Sequence, residues 1–295
     1  VGAEATEGRR RPPGGAMGFA EKPVVGVAVV SYRSPGRTCA FVSRELPKLP
    51  FAYEACVVDV ASTPETRRGL EEGLPSGVHR LFFEENLGYS RGNNAAARLL
   101  REKLPGMKYL LVCNDDILFD GDSHLERLLD FLESHPECGI AGPSVRGVDG
   151  AEQSPWNCAE DLGARERWFR RVASPFGGDA RECYAVRGCL LLVRAEPFFR
   201  LGGFDEEFFL FFEEPVLGER FRRAGQTTWY IPGASATHLG SATIRKALSS
   251  WRIYRLYRRS FFLVARKYWG WSWLSRATWP FRHLLSRLTR SLFGR

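Results

Sequence analysis

The stretch Lys108 to Phe119, KYLLVCNDDILF, constrains the chain most. An apolar run, Tyr109, Leu110, Leu111, Val112 and Cys113, ends abruptly in Asn114, Asp115 and Asp116. A run that is apolar at every position predicts a strand covered on both faces, as in a parallel sheet between layers of helix. The acidic residues then fall at the strand's carboxyl end. In open α/β sheets ligands bind in the crevice outside those ends, where carboxylates can hold a divalent cation and, through it, a diphosphate. A polar turn after a buried strand would use the same residues, so the triplet alone leaves both readings open.

The flanking sequence repeats the pattern. A strand at 24–30 turns through Ser31, Tyr32, Ser34, Pro35 and Gly36 into a helix near 38–46. A second strand at 55–60 leaves Asp59 at its carboxyl end, where it can accept hydrogen bonds from a base or ribose, or cap the next helix beside Ser62. A third at 78–83 leads to Asn86, Gly88, Gly92, Asn93 and Asn94, a polar, glycine-bearing loop before a helix at 94–103. Such a loop lets backbone approach a ligand closely, and is equally an ordinary capped helix entry. After the central strand come a helix at 123–134 and a short strand at 139–142. Four βα units in sequence predict an α/β fold with a mainly parallel central sheet flanked by helices. The dinucleotide fingerprint GxGxxG and the P-loop are both absent, as is the glycine-rich phosphate loop of sugar nucleotidyltransferases, which argues against a dehydrogenase or an ATPase.

From 143 to 180 the periodicity breaks down into loop and weak helix around Trp156, Trp168 and Phe169, the kind of long insertion that contacts substrates. Regular pattern resumes with a strand at 189–193 and a glycine turn at Gly202 and Gly203. Glu213 and Glu214 then open a helix that reaches Ala224 and ends at Gly225. Strands at 227–231 and 234–237 deliver His238. Adjacent glutamates at a helix start favour its dipole and a lone histidine suits a core, so neither defines a site by itself.

At 295 residues the chain is long enough for one large α/β domain with an appendage. Its seven cysteines are scattered without CxxC pairs, the pattern of reduced thiols in a cytosolic protein. Residues 1–22 read as a disordered leader, with a catalytic domain over 23–243 and an extension over 244–295. No signal peptide and no run of transmembrane length is visible, which places the expected location in the cytoplasm.

Charge divides the chain in two. The net is +8, yet residues 1–219 sum to −8 and 220–295 to +16, because no acidic residue follows Glu219. A basic end of this kind suits an anionic surface, either nucleic acid or the inner face of a membrane. Trp251, Tyr254, Tyr257, Phe261, Val264 and Tyr268 recur at helical spacing with arginines off the stripe, which predicts an amphipathic helix. Its apolar face suits packing on the catalytic domain. A second helix begins near Pro280 with Phe281, Leu285, Leu288 and Leu292 on one side, and the tryptophans between the two suit a membrane-interfacial belt. The tail could instead form a dimer interface.

Taken in order, these motifs resemble the family 2 inverting glycosyltransferases of the GT-A fold, a Rossmann-like architecture, and in particular their rhamnosyltransferase-like bacterial branch, over roughly residues 24–270. The resemblance implies a nucleotide-sugar donor bound by Ser31 and Tyr32, by Asp59 of VVDVAS, by Asn86, Gly88, Gly92 and Asn94 of NLGYSRGNN, and by Asn114 and Asp115 of CNDD. It puts a divalent metal, manganese or magnesium, on Asp116 and on His238 of the HxGS-like end that continues through Gly240 and Ser241. The segment Gly203 to Phe209 matches the family's GgFDExFF, and the acid pair that follows falls on Glu213 and Glu214, with Glu214 as catalytic base. The family's EDxDL is EEPVL here, so Val216 stands in place of an aspartate and the base is one methylene longer. Glu213 and Glu214 can therefore exchange roles.

The implied reaction moves a sugar from a dTDP-rhamnose or UDP-sugar donor to a cell-envelope or lipid-linked glycan. It is a single inverting displacement that needs no covalent intermediate. The competing expectations are a GT-A-fold binding protein that has lost turnover, and a basic module for membrane or nucleic acid in which aromatics between arginines stack on bases. The glycosyltransferase reading calls for no nucleic-acid partner and for a peripheral position on the membrane's inner face.

Overall fold

A computed structural model describes residues 24–119, 121, 123–155, 157–158, 169–170, 179–240 and 249–270. Its strands, in chain order, are β1 (Val25–Ser31), β2 (Tyr53–Val60), β3 (His79–Phe83), β4 (Tyr109–Asn114), β5 (Ile117–Leu118) and β6 (Cys138–Gly147). They continue with β7 (Asn157–Cys158), β8 (Phe169–Arg170), β9 (Arg181–Cys183), β10 (Leu190–Arg194) and β11 (Thr227–His238). The helices are α1 (Pro35–Arg44), α2 (Pro64–Gly73), α3 (Gly88–Lys103), α4 (Glu126–Ser134), α5 (Ala195–Arg200), α6 (Glu213–Arg223) and α7 (Ser250–Lys267).

The main sheet runs β3-β2-β1-β4-β10-β6-β11-β5, with β9 paired to β11. Strands β3, β2, β1 and β4 are mutually parallel, as are β6 and β11, while β10 runs antiparallel between β4 and β6. The sheet is therefore mixed but mainly parallel. Successive residues of each central strand serve opposite faces. Val27, Val29 and Leu111 pack with Phe41, Leu70, Leu128 and Leu132 of α1, α2 and α4. Ala28, Leu110 and Val112 face the other way, onto Ala96, Ala97 and Leu100 of α3 and Phe221 of α6.

This topology puts one set of strand ends on a common rim. Strands β1, β2 and β4 finish there with Ser31, Asp59 and Asn114, and β11 finishes there with His238. Because β10 is reversed, the rim receives its beginning: Leu190 is opposite Cys113, and the Asn114 N–H donates to the Cys189 carbonyl at 2.9 Å.

Several elements differ from expectation for identifiable reasons. The glycine-bearing loop at 86–94 is mostly helix, since α3 starts at Gly88, and Gly92, Asn93 and Asn94 are helical and buried. A Cβ at Gly92 would stand 3.0 Å from Val30 Cγ2, so this glycine lets the helix lie close on β1. The two strands expected at 227–231 and 234–237 are one, β11, whose register against β6 shifts between Ile231 and Ser235, where Pro232 and Gly233 interrupt the pattern. Strand β6 likewise runs through Pro143 to Gly147, longer than 139–142. The expected leader, Ser241 and the helix near Pro280 lie outside the described residues.

Helix α7 packs on the domain by its C-terminal half. Phe261, Val264 and Ala265 form a third core with Phe208, Phe212 and Val216. Ser260 Oγ donates to the Leu210 carbonyl at 2.8 Å, and Tyr268 Oη donates to Asp205 at 2.6 Å. Lys267 pairs with the same aspartate at 2.7 Å. Toward its N-terminus the helix leaves Trp251, Tyr254 and Tyr257 exposed, at 66%, 48% and 44%.

Candidate active site

Two neighbouring aspartates after β4 have different fates. Asp115 turns back onto the start of α1, where Arg37 Nε donates to its Oδ1 at 3.0 Å and Thr38 Oγ1 to its Oδ2 at 2.7 Å. Burial pushes its pKa up and the Arg37 guanidinium opposes that shift. Its oxygens are thus engaged in fixing the turn that carries Ser31, whose Oγ lies 2.9 Å from Thr38 Oγ1. Tyr32 follows in that turn, half-buried, with the Arg33 guanidinium 5.3 Å from its ring centre.

Asp116 instead faces His238. Its Oδ1 lies 3.2 Å from His238 Nε2, both residues are buried, and the oxygen has no hydrogen-bond partner among the described residues. Those facts are reconciled by the other ring nitrogen. His238 Nδ1 lies 2.9 Å from Gln153 Oε1, an acceptor, so the ring proton is assigned to Nδ1 and Nε2 presents a lone pair. In this tautomer two acceptors face each other, an arrangement that could hold a cation. The backbone holds the pair in place: β5 pairs with the end of β11, and the Leu239 N–H donates to the Asp116 carbonyl at 2.9 Å.

A carboxylate oxygen and an oriented imidazole fit a divalent ion that takes its remaining ligands from a substrate diphosphate. Among the described residues no group of three or more His, Cys, Asp and Glu converges on one point.

Asp59 is fully buried, with Oδ2 accepting from Thr66 Oγ1 at 2.8 Å and Oδ1 without a partner. The cap of α2 is Thr63, in a reciprocal pair with Thr66, so Asp59 supports the capping residues without capping the helix itself. A buried, half-satisfied carboxylate on this rim has an oxygen available to a donor ligand.

The segment around Asn86 is shaped by the chain opposite. Asn86 Oδ1 accepts from the Gly88 N–H, and Gly88, at φ +71°, could not carry a Cβ without placing it 2.4 Å from the Phe209 carbonyl. Asn94 is committed elsewhere: its amide donates to the Phe204 carbonyl and Glu206, and its Oδ1 accepts from the Phe204 N–H. Expected beside the donor, Asn94 ties α3 to the segment leading to the glutamates.

Those glutamates begin α6, preceded by Phe211 and Phe212 at φ +73° and +71°, left-handed conformations that cost non-glycine residues energy and recur at functional sites. Glu213 is buried, and burial together with the Glu214 charge raises its pKa well above the ordinary carboxylate range. Glu214 is half-buried and accepts a hydrogen bond from the Gly188 N–H at 3.1 Å. Gly188 is held in turn by Tyr89, whose hydroxyl donates to its carbonyl at 2.5 Å. Val216, where the family pattern has an aspartate, is buried among Phe208, Phe261 and Val264, a setting that would penalise a charge.

Gln153, Tyr89 and Gly188 complete this geometry without having been singled out in the sequence. Each acts through a partner distant in the chain; no local motif marks Gln153 or Gly188, and Tyr89 lies inside NLGYSRGNN. Arg37 and Thr38 had a weak signal, two polar residues opening a helix after a buried strand.

A mixed α/β sheet flanked by helices is the GT-A fold, and solved structures share it. The mannosyltransferase of Pyrobaculum calidifontis in complex with GDP-Man and Mn²⁺ superimposes with a TM-score of 0.55 at 18% identity, over 80% of this chain and 61% of that one. GalNAc-T7 with UDP, GalNAc and Mn²⁺ gives 0.53 at 15% identity, over 73% of this chain and 43% of that one. The chain therefore spans less than two thirds of either structure.

The model of the family "Glycosyl transferase family 2" matches residues 27–179, and the chain belongs to that family and is a glycosyltransferase. It is also 27% identical to the N-acetylglucosaminyl-diphospho-decaprenol L-rhamnosyltransferase of Mycobacterium tuberculosis, over 89% of this chain and 91% of that protein.

Proposed function

We propose that the chain is a metal-dependent inverting glycosyltransferase that takes a sugar from a nucleotide donor, dTDP-rhamnose or a UDP-sugar, to a polyprenyl-diphosphate-linked acceptor. The Mycobacterium relative, aligned along nearly its full length, is named for rhamnosyl transfer to an N-acetylglucosaminyl-diphospho-decaprenol. The observation that carries the proposal is the Asp116 Oδ1 and His238 Nε2 pair, 3.2 Å apart on the rim where Glu214 also lies. Glu214 accepts from the Gly188 N–H, and the next residue, Cys189, accepts from the N–H of Asn114, two residues before Asp116, which links the two halves of the site at the start of one strand.

Asp116 and His238 would hold the divalent ion, which when bound neutralises charge on the leaving diphosphate. Ser31, Tyr32, Asp59, Asn86, Gly88 and Asn114 would line the donor side, and the free Asp59 oxygen suits a base or ribose donor group. Glu214 takes the proton of the acceptor hydroxyl as that oxygen attacks the anomeric carbon and the bond to the diphosphate breaks. The Gly188 N–H orients the Glu214 carboxylate, and the buried, proton-retaining Glu213 beside it is unsuited to the role. The basic α7 and the residues after it would hold the protein at the membrane's inner face. No helix among the described residues is long and apolar enough to cross a membrane.

The test is calorimetric titration with UDP, dTDP and GDP, each with Mn²⁺ or Mg²⁺ and again with chelator, on wild type and Asp116→Ala. Metal-dependent binding of one nucleotide, lost in the variant, is expected. Equal binding with chelator, or in Asp116→Ala, would contradict the metal assignment.

A further inference from the structure

A cavity of about 670 Å³ lies between α7, the turn that enters α3 and the segment 206–209. Its size falls in the range of small-molecule sites, about 300–1,000 Å³. Leu87, Phe209 and Leu256 give it apolar walls, Arg91 and Arg259 stand among them, and Asn86, assigned above to the donor side, borders it. Both arginines are exposed and neither forms a hydrogen bond or ion pair among the described residues, although Arg91 is near enough to Glu206 to help lower its pKa. Of the three glutamates on the walls, Glu206 accepts from Asn94 and Arg98, and Glu207 pairs with Lys267. Glu85 is left as the unpaired carboxylate against two available guanidinium groups.

A groove with both apolar and charged walls, in which two guanidinium groups have no ion-pair partner among the described residues, matches a ligand with both a hydrocarbon part and a phosphate part. Its position matters as much as its chemistry. The wall residue Leu87 is followed by Gly88 and then Tyr89, whose N–H donates to the Phe209 carbonyl and whose hydroxyl holds Gly188, the residue that donates to Glu214. On its other side the groove is bounded by α7, the helix that exposes Trp251, Tyr254 and Tyr257. A ligand anchored in lipid would approach from those aromatics.

We infer that this groove binds the diphosphate and first isoprene units of the polyprenyl-diphosphate acceptor, with Arg91 and Arg259 on the diphosphate. The inference rests on the transferase reading above and adds where the acceptor's anionic carrier is held.

The experiment titrates the full chain with farnesyl diphosphate, with inorganic diphosphate and farnesol as the two halves of the ligand, and with phosphatidylglycerol vesicles. Wild type is expected to bind farnesyl diphosphate more tightly than either half. Arg91→Gln/Arg259→Gln weakens that binding at least tenfold, the scale of one lost charge-assisted contact. Leu256→Asp weakens it as well, and Glu85→Gln tightens it. Metal-dependent nucleotide binding is measured on every variant and stays at the wild-type level, which shows the fold and donor site intact. Farnesyl diphosphate affinity unchanged in the double variant, or equalled by farnesol, overturns the assignment. Binding of vesicles alone, with none of farnesyl diphosphate, overturns it in favour of a phospholipid surface. Failure of the transferase reading would appear separately, as a wild type that binds no nucleotide.

Discussion

Glu213 and Glu214 adjoin in sequence but not in environment. One is buried with an oxygen lacking any hydrogen bond, while the other is half-buried and oriented by a backbone N–H. Enzymes divide acid and base roles by such differences of surroundings. The contrast has a thermodynamic signature. In the unfolded chain Glu213 ionises near pH 4.3, as glutamates do, whereas in the fold it keeps its proton well above that. Over this window the unfolded state binds fewer protons, so the group costs stability as pH rises, by at most about 1.4 kcal/mol per pH unit. Glu213→Gln removes the cost. Its melting temperature minus that of wild type is expected to widen as pH is raised from about 5 to about 8, measured by thermal unfolding in matched buffers. A difference independent of pH would show that the carboxyl is already ionised in the fold.

The elements were legible where a pattern is local. An apolar run closed by Asn114, Asp115 and Asp116 announces a buried strand and its carboxyl end, and β1, β2 and β4 follow from the same signal. Direction and partnership are not local, so nothing in Leu190–Arg194 shows that β10 runs antiparallel or brings Gly188 to the rim. The start of α3 was hidden because Gly88, Gly92 and two asparagines are poor helix formers, and tertiary contacts with Val30 and Phe204 outweigh their propensity. Which aspartate faces the histidine also depends on distant partners: Arg37 and Thr38 occupy Asp115 and leave Asp116 to His238. Val216 shows the same limit, since its burial against α7 is invisible in EEPVL itself.

Helix α7 therefore supports the segment that carries Glu214, the proposed base. Truncating Phe261, 6% exposed in the core shared with Phe212 and Val216, is expected to cost about 3–5 kcal/mol. Chemical denaturation measures that cost. The same Phe261→Ala variant, assayed below its transition, is expected to lose transfer activity while keeping metal-dependent nucleotide binding. Retained activity would mean that α7 is only an appendage.

At the scale of the molecule, charge is segregated along the chain, with every acidic residue at or before Glu219 and sixteen Lys or Arg after it. Within α7, Arg266 and Lys267 pair with Glu207, whereas Arg252, Arg255 and Arg259 have no carboxylate partner among the described residues. Beside the exposed Trp251 and Tyr254, whose rings stack 5.6 Å apart, they form a surface suited to anionic lipid. Each arginine near such a surface contributes about 1 kcal/mol. Replacing Arg252 and Arg255 by glutamine is therefore expected to weaken vesicle binding about thirtyfold in low salt, read by flotation, with the gap closing as salt is raised. Equal flotation of wild type and variant would assign membrane contact to other residues.

The central claim is a direct displacement with Glu214 as base. Its most direct measurement is single-turnover transfer from the nucleotide sugar that binds, onto a polyprenyl-diphosphate-linked acceptor, by wild type and by Glu214→Gln, with the anomeric configuration of the product read by nuclear magnetic resonance. The account predicts an inverted product from wild type and a rate about 10²–10⁴-fold lower in the variant, with nucleotide binding unchanged. A retained configuration, or a variant that turns over like wild type, would contradict it.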